Sequence, residues 1–268
     1  MTTYGFIGTG NMGGAIALAV SRSEGDRRIL LANRTPEKAV ALAAEIGGEA
    51  ADNERCAAEA DFLFLGVKPQ MMADMLSGIA PTLAARKEKG ERVVLVTMAA
   101  GLTMETICRM AGGDYPVIRI MPNTPVSIGK GMTLYTGKGV TEAEWDEFLS
   151  AIAPSGKLEQ LPESLIDAGS AVSGCGPAYV YMFIEALSDG GVECGLPRAK
   201  ALQLAAQMVA GAAELVLQSC SHPGQLKDAV CSPGGTTIAG VHALEKGGFR
   251  ALGMDAVKAA YDKTMALK

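Results

Sequence analysis

The six residues Ser232-Pro-Gly-Gly-Thr-Thr237 place a proline, two glycines and two adjacent threonines directly before an apolar-periodic segment. This pattern is typical of a turn that opens a helix, with unpaired backbone N–H groups from Gly234 to Thr237. The start of a helix also carries a partial positive charge, so the segment predicts a site for a small anion such as a carboxylate. The alternative is an ordinary helix start that is capped by Ser232 or Thr236.

A second glycine-rich segment, Gly8-Thr-Gly-Asn-Met-Gly13, lies near the N-terminus. It follows the apolar strand Thr3–Ile7 and precedes Gly14–Val20, which has helical composition. In a dinucleotide-binding unit the three glycines allow a tight turn, close approach of a pyrophosphate and close packing of helix on strand. The alternative is a merely structural turn between strand and helix. The predicted cofactor contacts in this segment are Gly8, Thr9, Gly10, Asn11, Met12 and Gly13.

The second strand ends at Asn33-Arg34-Thr35, where a site for NAD usually offers a carboxylate to the ribose hydroxyls. These three side chains can instead bind a 2′-phosphate through hydrogen bonds and charge. NADPH is therefore the predicted cofactor, with NADH as a weaker one. The alternative, in which Thr35 and Pro36 simply begin the next helix, is compatible with this role because a cap leaves Arg34 free.

Two later strands deliver short motifs at their carboxyl ends, where open α/β sheets bind their ligands. Lys68 follows one strand, and the small Ala-Ala-Gly101 segment after the next would let a flat nicotinamide ring lie against backbone. The segment Arg119–Pro125, with two prolines, predicts either a rigid wall of the pocket or a plain loop. The further predicted cofactor contacts are Asn53, Val67, Lys68, Pro69, Ala99, Ala100 and Gly101.

Alternating strand and helix patterns predict an α/β fold with a Rossmann-type first half. The segments after the first helix are Arg28–Ala32, Pro36–Ile46, Asp61–Val67, Pro69–Ile79, Arg92–Met98, Thr103–Ala111 and Pro116–Met121. Strand signals stop near Ser164, and the later helical segments are Gly176–Val192, Pro197–Ser219, Leu226–Cys231, Thr236–Lys246 and Phe249–Ala266. We predict an NADP-binding domain over residues 1–160 and a helical domain over 161–268, with the boundary near Pro154–Pro162.

Composition limits the classes of partner. The 268 residues are 49% hydrophobic and carry a formal net charge of −5, which argues against binding to nucleic acid or to an anionic membrane. The apolar runs look too short to span a bilayer, and no signal-peptide pattern opens the chain, so we expect a soluble, cytoplasmic protein. Six cysteines without a C-x-x-C pair and only two histidines predict no metal site. The alanine-rich stretch Ala199–Leu217 carries few charges and predicts a homo-oligomer.

These motifs together resemble the pyrroline-5-carboxylate reductase family, in order and approximate spacing over essentially the whole chain. The segments that carry the resemblance are FIGTGNMGGAI, LANRTP, VKPQ, RIMPNTP, SGCGPAYVYMFIEALSDGGVECGL and DAVCSPGGTTIAGVHALEKGGF. The resemblance implies NADPH-dependent reduction of 1-pyrroline-5-carboxylate to L-proline. It also implies a Rossmann domain, a helical domain that forms a homodimer, and a larger ring such as a decamer.

The resemblance also implies roles for single residues. The substrate carboxylate would bind the backbone N–H groups of Gly235, Thr236 and Thr237, with Gly234 in the same turn, and the Thr237 hydroxyl would face the ring nitrogen as the catalytic group. A cyclic imine needs a hydride at carbon and a proton at nitrogen, so neither a buried histidine nor a metal is required.

Some positions depart from the family pattern. Cys175 stands where serine is common, Ala229 where a polar residue is frequent, and the parts played by Glu163 and Asp167 stay open. Two rival functions are a β-hydroxyacid dehydrogenase and a non-catalytic NADPH-binding regulator. The first would need a lysine and an asparagine in its helical domain, and residues 174–191 contain neither. The second has no need of the anion site.

Overall fold

The computed structural model describes residues 1–267, which contain eight strands in one sheet and twelve α-helices. The strands are β1 (Thr2–Ile7), β2 (Arg27–Ala32), β3 (Glu49–Ala50), β4 (Phe62–Leu65), β5 (Val94–Thr97), β6 (Val117–Met121), β7 (Gly131–Lys138) and β8 (Gly156–Gln160). Their order in the sheet is β3-β2-β1-β4-β5-β6-β7-β8. The first six strands are parallel, β7 runs antiparallel to β6, and β8 runs parallel to β7.

The helices fall into two groups along the chain. Those that alternate with strands are α1 (Asn11–Ser21), α2 (Pro36–Ile46), α3 (Asn53–Glu59), α4 (Met72–Glu88), α5 (Met104–Met110), α6 (Glu142–Ile152) and α7 (Glu163–Ser173). Those that follow without strands are α8 (Gly176–Glu193), α9 (Arg198–Ser219), α10 (Pro223–Val230), α11 (Thr236–Lys246) and α12 (Phe249–Met265). The predicted α/β class, with a Rossmann-type half before a helical half, is confirmed.

The central strands form because they are apolar on both faces. β4 and β5 are buried along their whole length, as expected for parallel strands that are covered by helices on each side. One face of the sheet packs aromatic rings closely, and the ring centroids of Phe6 and Phe64 are 4.4 Å apart. The carboxyl ends of β1, β4 and β5 therefore lie side by side on a rigid base.

The chain divides into two compact units. The first contains Met1–Cys175 and Ala260–Lys268, of which Lys268 lies outside the described residues, and the second contains Gly176–Ala259. α7 belongs to the first unit because it packs on the sheet: an added Cβ at Gly169 would lie 2.6 Å from the Leu134 side chain of β7. The first compact unit thus continues past the predicted boundary near Pro154–Pro162 as far as Cys175, and it includes the helix α7, which packs against the sheet.

Helix α9 contains the longest apolar stretch of the second unit. It is 22 residues long and contains an 18-residue window with a mean hydropathy of 1.2, so length and composition alone would let it cross a membrane. This corrects the expectation that every apolar run is too short to do so. Only Ala201 and Ala205 are buried in α9, whereas Leu204 and Leu217 are 58% and 68% exposed. One copy of the chain therefore leaves much of this apolar helix uncovered.

Candidate functional site

The turn between β1 and α1 requires glycine at two of its positions. Gly8 has a φ of +99°, and an added Cβ would lie 2.7 Å from the backbone of Gly66. An added Cβ at Gly13 would lie only 2.1 Å from the carbonyl oxygen of Gly8. Both distances are far below van der Waals contact, so side chains at these positions would push the turn apart.

Gly10 lies in open space at the start of α1. A Cβ added at Gly10 would meet no atom of residues 1–267 within 4 Å. Gly10 is also the N-cap residue of α1, and no side chain in the described part of the chain caps this helix. Anions bind at uncapped helix N-termini, so this helix start suits a pyrophosphate, and the predicted contacts of Asn11 and Met12 stay predictions. These residues suit a dinucleotide.

The loop after β2 contacts the same turn. Asn33 Nδ2 donates to Thr9 Oγ1 at 2.9 Å, and Asn33 Oδ1 accepts from the backbone N–H of Thr35 at 3.2 Å. Asn33 therefore holds the two loops together, and its direct contact with a phosphate stays a prediction. Thr35 occupies the N-cap position of α2, but its side chain makes no cap hydrogen bond. Arg34 is exposed and forms no ion pair within residues 1–267.

The motifs after β4 and β5 lie at neighbouring strand ends. Lys68 is exposed after Val67 and precedes the short 3₁₀ turn that begins at Pro69. After the end of the adjacent strand β5, Ala99 and Gly101 are buried and Ala100 is half-buried. The structure thus brings these two predicted groups to the same edge as the glycine turn, because β1, β4 and β5 are adjacent in the sheet.

Asn53 is more peripheral than the other predicted cofactor residues. It is the first residue of α3, exposed, and follows the edge strand β3. The side chain of Asp52 caps α3 by accepting from the backbone N–H of Arg55 at 2.7 Å. In the described residues Asn53 makes no hydrogen bond with the other predicted cofactor contacts, so its role stays a prediction.

In the second unit, Ser232–Thr237 forms a tight turn before α11. Gly234 has a φ of +67°, and Gly235 N–H donates to the carbonyl oxygen of Ser232 at 3.0 Å. An added Cβ at Gly235 would lie 2.4 Å from Ser232 Oγ, which can rotate away, and 3.1 Å from the carbonyl oxygen of Ser232. The N–H of Gly235 is thus paired inside the turn, and the contact of Gly235 with a substrate carboxylate stays a prediction.

Thr236 and Thr237 are the first two residues of α11. Gly235 is the N-cap, and within residues 1–267 no side chain caps this helix. The predicted alternative of a Ser232 or Thr236 cap is therefore wrong. The amides of Thr236 and Thr237 remain available as donors, and neither hydroxyl hydrogen-bonds to any described residue. Two N–H groups and two hydroxyls thus lie unpaired in the first turn of α11, and a positive helix end with such donors suits a small carboxylate with a polar neighbouring atom.

Sequence reasoning left one group of residues unassigned. Arg119 of β6 is completely buried and pairs with Asp167 of α7, while Glu163 of α7 contacts the start of α5. The signal for this group is weak in the sequence, because its members lie far apart along the chain. No group of His, Cys, Asp and Glu among the described residues could hold a metal ion. All six cysteines are free thiols.

Two family models match the chain. Residues 163–267 match the model described as pyrroline-5-carboxylate reductase dimerisation. Residues 3–101 match the model described as NADP oxidoreductase coenzyme F420-dependent. The two matches cover the helical half and the first strands of the sheet, respectively.

Full-length relatives carry one common name. Pyrroline-5-carboxylate reductases of Escherichia coli K12 and Pisum sativum are each 41% identical, covering 98% and 99% of this chain and 97% and 96% of theirs. A crystal structure of the Plasmodium falciparum enzyme with NADP bound superimposes with a TM-score of 0.87 at 31% identity, covering 99% of this chain and 98% of that one. The identities are high and the coverage almost complete, so the chain belongs to the pyrroline-5-carboxylate reductase family.

Proposed function

We propose that the chain reduces 1-pyrroline-5-carboxylate to L-proline with NADPH, the last step of proline biosynthesis. The observation that carries this proposal is the uncapped start of α11, where two amides and two hydroxyls have no partner among the described residues. A regulator that binds only a nucleotide has no use for such a site. The name shared by the relatives supplies the substrate, a cyclic imine with one carboxylate.

The α11 site can perform two tasks for this substrate. The backbone N–H groups of Thr236 and Thr237 bind the carboxylate, and the helix end lowers the energy of its negative charge. The Thr237 hydroxyl then faces the ring nitrogen and donates a hydrogen bond as that nitrogen gains its proton. Bound NADPH supplies the hydride that the imine carbon accepts. Holding the substrate in place is the main contribution of the protein, because the imine carbon accepts a hydride readily once the ring nitrogen is protonated.

The first unit offers the features that NADPH needs. The space beside Gly10 and the uncapped start of α1 take the pyrophosphate, and Arg34 with the Thr35 hydroxyl takes the 2′-phosphate. Lys68 adds a cation at a neighbouring strand end. The small side chains of Ala99–Gly101 leave room for the nicotinamide ring.

The two halves of the chain have different tasks in this proposal. We assign cofactor binding to the predicted domain 1–160 and substrate binding and dimerisation to 161–268. A groove of about 680 Å³ runs between α8 and α9, where Tyr181, Met182 and Leu202 are each about half exposed or more. A second copy that covers this apolar surface would form the homodimer, and further contacts between dimers a ring such as a decamer. Free exposed thiols at Cys194 and Cys220 suit the reducing cytoplasm.

An assay with two imines tests the proposal. The purified protein is mixed with NADPH and either 1-pyrroline-5-carboxylate or 1-pyrroline, which lacks the carboxylate, and the absorbance of the reduced cofactor is followed. Two charge-assisted N–H contacts, worth about 1.5–3 kcal/mol each, predict a kcat/KM about 100-fold or more in favour of the carboxylate. Equal rates with both imines would contradict the α11 assignment. No turnover with either would favour the regulator, and turnover of a β-hydroxyacid with NADP⁺ the dehydrogenase.

A further inference from the structure

A buried ion-pair cluster joins β6 to α7 in the first unit. Arg119 of β6 is fully buried, and its Nη2 donates to Oδ1 of Asp167, which is 2% exposed. Nη1 of the same guanidinium lies 3.7 Å from Oε1 of Glu163. Glu163 and Asp167 are four residues apart on α7, so both carboxylates lie on the helix face that meets the guanidinium. The cluster therefore fixes the first turn of α7 against the sheet.

Glu163 also contacts the beginning of α5. Its Oε1 accepts a hydrogen bond from the backbone N–H of Met104 at 2.7 Å. Met104 is the first residue of α5, where backbone N–H groups have no acceptor within the helix. The positive end of the helix further stabilises a carboxylate at this place. The guanidinium of Arg119 thus orients a carboxylate that in turn holds the start of α5.

The loop between β5 and α5 is restrained along its length. At its start, Oγ1 of the buried Thr97 accepts from the backbone N–H of Ala99 at 3.3 Å. In its middle, Gly101 has a φ of +77°, and an added Cβ would lie 3.2 Å from Cβ of Leu267. At its end, Glu163 holds the first amide of α5. The loop is thus held at both ends by hydrogen bonds, and Leu267 lies close to its middle.

We propose that Glu163 is a positioning residue for hydride transfer, because it holds the loop Ala99–Gly101 where the nicotinamide ring lies. The inference rests on the proposed function, in which this loop contacts the nicotinamide. Glu163 acts through the backbone of Met104, and Arg119 acts through Glu163. Displacement of a reacting group by about 1 Å can lower a rate by about 100-fold, so the fixed loop matters for the reaction.

Calorimetric titration with two ligands tests the proposal on the full chain. NADP⁺ contains the nicotinamide, whereas adenosine 2′,5′-bisphosphate contains the adenosine and the 2′-phosphate without it. Glu163→Ala removes the acceptor of the Met104 N–H, so the loop before α5 is no longer held at its end. We therefore expect NADP⁺ to bind about tenfold more weakly. Binding of the bisphosphate should be unchanged. Equal losses for both ligands, or no loss for NADP⁺, would overturn the proposal.

Two further variants separate positioning from folding. Glu163→Gln keeps an oxygen acceptor for Met104, so it should recover most of the NADP⁺ affinity and of kcat. Asp167→Asn weakens the pairing of the buried Arg119, so it should lower the melting temperature more than Glu163→Ala does. In the folded fraction of Asp167→Asn, Glu163 keeps its contacts with Arg119 and Met104. NADP⁺ and the bisphosphate should therefore each bind as they do to the wild type. A selective loss of NADP⁺ affinity there would contradict the role given to Glu163. These titrations contain no imine, so a wild-type protein without reductase activity would refute the proposed function and leave the comparison of ligands intact.

Discussion

Replacing Gly10 by alanine separates cofactor binding from folding at the glycine turn. The backbone φ of Gly10 is −73°, which alanine adopts without strain, and the new methyl group would meet no described atom within 4 Å. The free energy of unfolding should therefore stay unchanged. The methyl group would instead occupy the space of the pyrophosphate, and overpacking of this kind costs about 1–3 kcal/mol. We expect NADPH to bind about 10- to 100-fold more weakly.

Two neighbouring glycines provide the controls. Gly13→Ala would place a carbon 2.1 Å from the carbonyl oxygen of Gly8, so the turn must move. Gly13→Ala should then lower the free energy of unfolding by the same 1–3 kcal/mol, so the melting temperature should fall by about 2–12 °C. NADPH binding should weaken as well. The new methyl group of Gly14→Ala would lie 3.6 Å from the Leu42 side chain of α2, an ordinary van der Waals contact, and should leave binding unchanged. It should stabilise α1 by about 0.5–1 kcal/mol.

Melting curves and NADPH titrations on the three variants decide the matter. Normal NADPH binding by Gly10→Ala would refute the location of the pyrophosphate. A lower melting temperature for Gly10→Ala, equal to that of Gly13→Ala, would show that the open space at Gly10 does not exist in solution.

Substitutions at four other positions supply the remaining tests. Arg34→Ala should weaken NADPH by about 1–3 kcal/mol and NADH little, and equal losses in titrations with both cofactors would contradict the 2′-phosphate contact. In steady-state kinetics, Thr237→Ala should lower kcat by about 10- to 1000-fold, and Thr237→Ser should recover part of the lost kcat. Thr236→Ala keeps its backbone N–H, so it should lower kcat clearly less. Glu49→Gln tests a surface ion pair, because hydrogen bonds from Arg28 lower the pKa of Glu49 from 4.5 to about 2. Its stabilising effect is present above pH 4.5 and lost as the pH falls toward 2, so melting curves of wild type and Glu49→Gln should differ near neutral pH and converge in acid.

The chemistry of neighbouring residues decides which elements the sequence predicts. The ends of α2 and α11 are predicted to the residue, because Pro36 sets the first turn of one and glycines flank the other. No strand or helix is predicted between residues 122 and 162, where β7, β8 and α6 form. β7 is interrupted by Gly137, and β8 exposes polar side chains, so neither shows the apolar run of a central strand. α6 does carry a readable signal, the capping box of Thr141 and Glu144.

The candidate site divides in the same way. Glycine turns, strand ends and the start of α11 follow from local motifs, and the structure places them at the expected ends of their elements. The commitment of the Gly235 amide to Ser232 depends on the exact turn geometry, which no residue type specifies. The contact of Glu163 with Met104 joins positions 59 residues apart, so only the packing of α7 on the sheet reveals it.

The placement of residues 260–267 in the same unit as the sheet sets an order of events during protein synthesis. The ribosome releases the strands first, and the residues of the second unit must follow before Leu267 can reach Gly101. At about 5–20 residues per second, that interval lasts roughly 4–17 s. A nascent chain therefore carries an incomplete first unit, with the loop at Gly101 lacking one of its three supports. A gene fragment that stops at residue 175 would keep this defect permanently, because it lacks the C-terminal segment of the first unit.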